Sequence, residues 1–133
     1  MKNITFPAFL LLLAALTFAA TVPAPQPSVP SGSLVDGTRV IEVTAKKYAF
    51  VPDPIVVNQG EKVRLMITAV DVDHGFGLTA YKINKTLPKG QVQTVEFVAD
   101  KAGTFPIHCT VFCGMGHMGM KASLIVLAGQ TVK

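Results

Sequence analysis

Apolar and polar residues alternate with a period of two along the chain from Arg39 onward, rather than with the 3.6-residue period of a helix. The clearest case is Lys62–Ala69, where every second side chain is apolar, as expected for a strand with one buried face. The pattern predicts seven short strands: Arg39–Ala45, Pro54–Asn58, Lys62–Ala69, Gly75–Ile83, Val92–Val98, Gly103–Cys109 and Ala122–Leu127.

Turn-forming residues separate these predicted strands. Pro52-Asp53-Pro54, Asn58-Gln59-Gly60 and Pro88-Lys89-Gly90 supply the fixed or positive φ angles that tight turns need. Seven short strands at regular spacing, with no predicted helix between them, are typical of a Greek-key β-sandwich. We therefore predict an all-β fold.

The first 38 residues differ from the rest in composition. Residues 1–20 combine Lys2 with the uncharged, Leu- and Ala-rich run Ile4–Ala20, which indicates a signal peptide or an uncleaved membrane anchor. Residues 21–38 are rich in Pro, Ser and Gly and are predicted to be a linker. The folded domain is then expected to span residues 39–133 and to be exported, either periplasmic or anchored on the outer face of the cytoplasmic membrane.

The charge pattern excludes several classes of function. The formal net charge is +4, but the basic residues are dispersed, apart from the pair Lys46-Lys47, so a nucleic-acid surface is not expected. The eight Asp and Glu residues are scattered and form no paired-carboxylate or Ser/His/Asp pattern typical of a hydrolase. No catalytic site is predicted within this chain.

A cluster of metal-binding side chains precedes the last predicted strand. From Cys109 to Met120 the chain offers two thiols, the imidazole of His117 and a thioether, joined by glycines that allow a tight loop. These donors together suit copper better than Mg²⁺, Ca²⁺ or Mn²⁺, and zinc sites do not normally include Met. A disulfide between Cys109 and Cys113 is the main alternative in an exported protein, but the spacing to His117 and Met120 favours a metal site.

A further imidazole is expected from His74, which lies 35 residues before Cys109 at a turn. Either of its neighbours Asp71 and Asp73 could orient this ring as a hydrogen-bond acceptor. His108 alternates with Cys109 along a predicted strand, so its side chain should point to the opposite face and is not predicted to be a ligand.

This arrangement, with one His from an earlier strand end and a Cys-His-Met loop before the last strand, resembles that of the cupredoxins. The pattern Cys-x₃-Cys-x₃-His-x₂-Met, with His-Gly-Phe, Pro-x-Gly before a strand and Cys-Gly-x-Gly-His, resembles the copper A (CuA) domain of cytochrome c oxidase subunit II in its short, single-anchor or soluble form. The resemblance runs from about Asp73 to Val126. It implies a cupredoxin-type Greek-key sandwich with a dinuclear copper centre.

The resemblance also implies roles for individual residues and partners. Cys109 and Cys113 would bridge two copper ions, and Val111 would contribute only its backbone carbonyl. Electrons would arrive from cytochrome c or a small copper protein and could leave to the core subunit of a haem-copper oxidase. The implied ligands are His74, Cys109, Val111, Cys113, His117 and Met120.

Two other functions stay open on the sequence alone. The chain could be a mononuclear cupredoxin in which Cys109 is idle, or a copper chaperone or scavenger that holds exchangeable Cu(I). Whether it serves an oxidase or is a free carrier is not encoded in these residues.

Overall fold

The structure is a computed structural model that describes residues 29–129, and in this range it contains strands and two single-turn 3₁₀ helices but no α-helix. The predicted all-β fold is therefore confirmed. The 3₁₀ helices are Thr79–Tyr81 and His117–Gly119. The strands are β1 (Ser33–Val35), β2 (Thr38–Lys46), β3 (Ala49–Val51), β4 (Ile55–Asn58), β5 (Lys62–Ala69), β6 (His74–Leu78), β7 (Ile83–Leu87), β8 (Val92–Val98), β9 (Gly103–His108) and β10 (Lys121–Leu127).

The strands form two mixed sheets. The first has the order β1-β2-β5-β8, with β3 also paired to β2, and the second has the order β4-β10-β9-β6-β7. The pairs β2/β5 and β4/β10 are parallel, whereas the neighbouring pairs β5/β8, β9/β10 and β6/β7 are antiparallel. This topology brings the C-terminal end of β9 and the N-terminal ends of β6 and β10 to the same edge of the second sheet.

One hydrophobic core lies between the two sheets. The alternating side chains of β5 face it, as the sequence predicts, and Leu65 and Ile67 are fully buried. The second sheet contributes Phe76, whose ring meets Phe50 edge to face with centroids 5.7 Å apart. Burial of each such side chain contributes about 1.5–3 kcal/mol, so the core provides a rigid support for the loops at its edge.

The predicted strand Gly75–Ile83 is wrong as a single element. In the structure β6 ends at Leu78 and the 3₁₀ turn follows, whereas Ile83 is the first residue of a separate strand, β7, which pairs with β6 as a hairpin. Lys82 adopts a left-handed backbone (φ 55°) and donates its N–H to Thr79 O, which reverses the chain direction. All five residues of β6 are buried, so its sequence shows no alternation that could have marked its end.

The segment 21–38, predicted to be a linker, contributes to the sheet in its last part. Ser33–Val35 forms β1 and pairs with the start of β2, and Ser31 exchanges hydrogen bonds with the backbone of Val56. The predicted signal peptide or anchor and the linker up to residue 28 lie outside the described residues. Between residues 29 and 129, no helix has the length and apolar character needed to cross a membrane.

A buried carboxylate connects the β4–β5 turn to β2. Glu61 accepts two hydrogen bonds from the Arg39 guanidinium, at 2.6 and 3.1 Å, and two more from the backbone and side chain of Asn58. Burial alone would raise the pKa of Glu61, but the hydrogen bonds from Arg39 and Asn58 outweigh burial and hold it below its ordinary value. The ionised form is therefore the one that the fold stabilises.

Candidate metal centre

The metal-binding side chains come from three places in the chain that meet at one edge of the second sheet. His74 is the first residue of β6, Cys109 directly follows β9, and Met120 directly precedes β10. The backbone N–H of Cys109 donates to Met120 O at 3.1 Å, which closes the base of the loop that carries the other candidate ligands. The rigid sheet therefore fixes both ends of this ligand loop, which spans residues 109–120.

The two cysteine sulfurs lie at the centre of the cluster. Cys109 Sγ and Cys113 Sγ are 3.7 Å apart, well beyond the roughly 2.05 Å of a disulfide, and both thiols are free and buried. His74 Nδ1 lies 3.8 Å from Cys109 Sγ. The donor atoms of these three residues all lie within 4.8 Å of one another.

The remaining predicted ligands surround the same two sulfurs. His117 Nδ1 lies 3.7 Å and Met120 Sδ 3.8 Å from Cys113 Sγ. The backbone oxygen of Val111 lies 3.1 Å from Cys109 Sγ and accepts its S–H. The structure thus brings together all six residues that the sequence pattern selected, although His74 and His117 are 43 positions apart in the chain.

Asp71 orients the His74 ring. Its Oδ1 lies 2.7 Å from His74 Nε2, and it also accepts the backbone N–H groups of Lys47 and Val72. Burial would raise the pKa of Asp71, but these hydrogen bonds outweigh it and lower the pKa to about 2, so the carboxylate is ionised. Because an ionised carboxylate can only accept, the His74 proton lies on Nε2, and Nδ1 faces the sulfurs with a free lone pair.

The surroundings of the Cys113 thiol favour its protonated form. Burial and, to a smaller extent, the neighbouring Cys109 thiol together raise its pKa to about 11. Thiolate is the form that ligates metal, so metal binding here has to displace protons, and metal affinity should rise with pH.

Glycines allow the ligand loop to pack closely against its neighbours. A Cβ on Gly75 would lie 2.1 Å from Thr110 Oγ1 and 2.7 Å from Val111 N, so only glycine lets β6 approach the chain between the cysteines. On the other side of the loop, a Cβ on Gly116 would lie 2.4 Å from the ring of Tyr48. The backbone around both sulfurs is therefore confined between β6 and the β2–β3 turn.

The β2–β3 turn is a contributor that the sequence did not reveal. Lys47 donates its N–H to Asp71 at 2.7 Å, and Tyr48 packs on Gly116 and Gly114 of the ligand loop. This turn therefore contacts both the His74 side and the Cys113 side of the cluster. The turn lies more than 60 residues before Cys109 in the chain, so no local sequence pattern indicates that it contacts the site.

His108 lies outside the ligand cluster, on the opposite side of β9 from the core-facing Ile107. Its ring packs against β6 so closely that a Cβ on Gly77 would lie 2.8 Å from His108 Nε2. It also lines a surface depression of about 220 Å³ together with Cys109, His117, Met118, Met120 and Lys121.

The outer surface of the ligand loop is apolar. Phe112, Met115 and Met118 are 73%, 95% and 81% exposed, and we call these three residues the apolar patch. The Phe112 ring lies 5.7 Å from the His117 ring, centroid to centroid. His117 is half-buried, so it connects the buried sulfurs to this surface.

The donor set fits copper. Most of its donors are soft or borderline: two thiols, two imidazole nitrogens and a thioether, with one carbonyl oxygen in addition. Such a set binds copper better than it binds hard cations. The fit depends on geometry as well as on chemistry, since each sulfur has its own imidazole nitrogen within 3.8 Å.

The fold and this site define a cupredoxin. The chain belongs to the cupredoxin-like domain family, whose model matches residues 8–126. Its relatives include cytochrome c oxidase subunit 2 of Thermus thermophilus, which is 35% identical over 86 residues that make up 65% of this chain and 64% of that protein. Nitrous-oxide reductase of Cupriavidus necator is 33% identical over 103 residues, or 74% of this chain and 16% of that protein.

A solved structure supports the fold assignment. The periplasmic domain of subunit II of cytochrome oxidase from Bradyrhizobium japonicum matches with a TM-score of 0.64 at 21% identity, covering 72% of this chain and 88% of that one. The predicted resemblance to the cupredoxin domain of subunit II is confirmed. The chain nevertheless spans less than two thirds of the length of the Thermus thermophilus protein.

Proposed function

We propose that this chain is an extracytoplasmic electron-transfer protein whose cofactor is a dinuclear CuA centre. The observation that carries the proposal is the pair of buried sulfurs 3.7 Å apart, each with a different imidazole nitrogen within 3.8 Å. A mononuclear site needs only one of these thiols. Two thiols with separate imidazoles suit two metal ions that share both sulfurs.

The ligand roles in this proposal are those that the resemblance to the subunit II domain implies. Cys109 and Cys113 would hold both copper ions, His74 and Met120 would complete one, and His117 with the Val111 carbonyl would complete the other. When bound, the copper pair supplies one-electron exchange. The rigid sheet holds the donors close together, so little ligand movement would be needed when the charge of the centre changes.

The surroundings of the site favour electron transfer over catalysis. His74, Cys109, Cys113 and Met120 are all buried, so metals held by these residues together with His117 and Val111 would have protein ligands and little contact with a substrate from solution. His117 and Phe112 supply the short route from the buried sulfurs to the surface. An electron donor that docks on the apolar patch would therefore approach the site closely.

The relatives suggest the cellular location and the redox partners of this protein. Cytochrome c oxidase subunit 2 and nitrous-oxide reductase are both similar to this chain, and the solved subunit II domain is periplasmic. We place the protein outside the cytoplasm, with residues 1–20 as signal peptide or anchor. Cytochrome c or a small copper protein is the proposed donor, and the core subunit of a haem-copper oxidase is the proposed acceptor.

Repeated redox cycling in the presence of a Cu(I) chelator tests this function against that of a copper chaperone. The copper-loaded protein should pass through reversible one-electron cycles in voltammetry and keep its copper when reduced. A chaperone would instead lose Cu(I) to the chelator on the time scale of the cycles. Loss of copper in the reduced state would contradict electron transfer as the function.

A further inference from the structure

The buried ligands raise the question of how copper reaches them. Cys109 and Cys113 are 6% and 5% exposed, and His74 and Met120 are fully buried. Incoming copper cannot contact these four side chains at once from solution. The half-buried His117 is the ligand side chain most open to solvent, so copper has to enter on the side of the loop where it lies.

Two further residues with side chains of a type that can bind copper lie on that side. The 220 Å³ depression that reaches Cys109, His117 and Met120 is also lined by His108 and Met118. Neither belongs to the six ligands assigned above. Met118 is 81% exposed, so its thioether is accessible from solution.

We propose that His108 and Met118 form an entry site that first receives Cu(I) and then passes it to the buried ligands. An imidazole and a thioether are donors that suit Cu(I) and would bind hard cations poorly. The inference rests on the proposed copper centre, because it concerns how that centre is filled. It assigns a role to His108 and Met118 that the centre itself does not require.

The transfer is a ligand exchange in which copper stays Cu(I) throughout. The thioether of Met118 and the imidazole of His108 replace the ligands of the incoming copper complex. Cys109 and His117, which line the same depression, then replace Met118 and His108, and the cysteine releases its thiol proton to water. Because Lys121 also lines the depression, a free cation is disfavoured, and Cu(I) that arrives as a neutral or anionic complex with a weak ligand is the better substrate.

The entry site can be measured separately from the centre. In the full-length double variant Cys109→Ser/Cys113→Ser, Cu(I) supplied from a weak chelator should still bind and should shift the NMR signals of the Met118 methyl and the His108 ring. Adding Met118→Leu and His108→Gln should weaken this binding by about tenfold or more, whereas adding Met66→Leu should not. Met66 is a matched control because it is an exposed methionine on β5, in the other sheet.

A kinetic experiment covers the case in which the cysteine variant is poorly folded. In the protein with both cysteines, Met118→Leu and His108→Gln should each slow loading from the same Cu(I) complex by roughly tenfold, with the final copper content unchanged and, after oxidation of the loaded protein by ferricyanide, an unchanged absorption spectrum. Loading rates equal to those of Met66→Leu, or unshifted Met118 and His108 signals, would overturn the entry site. Failure of the unaltered protein to take up two copper ions would instead count against the proposed centre.

Discussion

His74 and Asp71 are joined by a 2.7 Å hydrogen bond that engages Nε2 of the imidazole and leaves Nδ1 pointing to the cysteine sulfurs. The Asp71 carboxylate is itself held by the backbone N–H groups of Lys47 and Val72. The orientation of a buried ligand therefore depends on a half-exposed turn residue and, through Lys47, on the β2–β3 turn.

Replacing Asp71 with Ala should weaken copper binding. Loss of such a partner typically lowers metal affinity by about 10–100-fold, because the ring loses its fixed tautomer and orientation. Competition with a copper chelator measures the change. Asp73→Ala is the matched control, since Asp73 lies in the same turn but accepts the N–H of Lys89 instead. Similar losses in both variants would show that the turn, and not the hydrogen bond to His74, determines affinity.

Glu61→Gln should destabilise the metal-free fold by about 1–3 kcal/mol, because it weakens charge-assisted hydrogen bonds from Arg39 to a residue that is only 4% exposed. Urea unfolding at neutral pH measures this loss. Glu96→Gln is the control: Glu96 pairs with Arg64 on an exposed surface, where an ion pair contributes little.

The effect of Glu61 should also depend on pH. Its folded pKa lies below the ordinary 4.5, so its contribution is present above that value and is lost as pH falls through the folded pKa. The stability difference between wild type and Glu61→Gln should accordingly shrink in acid. A difference that stays constant down to pH 2 would contradict the ionised state assigned to Glu61.

Met120→Leu should retain both copper ions, whereas His117→Ala should lose metal. A thioether acts mainly by tuning the centre, so its removal should raise the reduction potential. The His117 imidazole, whose Nδ1 lies 3.7 Å from Cys113 Sγ, is expected to be a principal donor in the proposed centre. Copper analysis and voltammetry of the two variants distinguish these roles. Equal loss of metal from both variants would contradict the prediction that His117 matters more than Met120 for holding copper.

The electron donor should be acidic or uncharged at its docking face. Phe105–Met120 contains no Asp, Glu, Lys or Arg, and the apolar patch lies within this segment. The nearest charge along the chain is that of Lys121, so any long-range steering should attract a negative partner. Electron-transfer rates with an acidic and a basic cytochrome, measured against ionic strength, test this. A basic cytochrome c that reacts fast at low salt and slows steeply as salt rises would contradict it.

Much of the fold was predictable because the first-sheet strands β5 and β8 have a buried and an exposed face. Their bounds, Lys62–Ala69 and Val92–Val98, match the prediction at both ends. The predicted strand Gly75–Ile83 continued past the end of β6 because β6 is buried throughout and shows no alternation, and β7 beyond Ile83 was not predicted. The three-residue strand β3 was missed because it is too short to show a pattern.

The six candidate ligands were predictable because they follow a fixed spacing of chemically distinctive residues. The residues that hold these candidate ligands in place were only partly predictable. Asp71 could be proposed as an acceptor because it lies three residues from His74. Tyr48 could not, since its contact with Gly116 depends on the tertiary fold and involves no metal-binding group.

The measurement that tests the central claim most directly is copper content per chain together with the electron paramagnetic resonance spectrum. The proposed centre predicts two copper ions per chain, a purple colour and one unpaired electron shared by both ions. Cys109→Ser and Cys113→Ser should each abolish that spectrum, because both sulfurs are needed to join the metals. One copper ion per chain, or an unchanged spectrum in Cys109→Ser, would contradict the dinuclear centre.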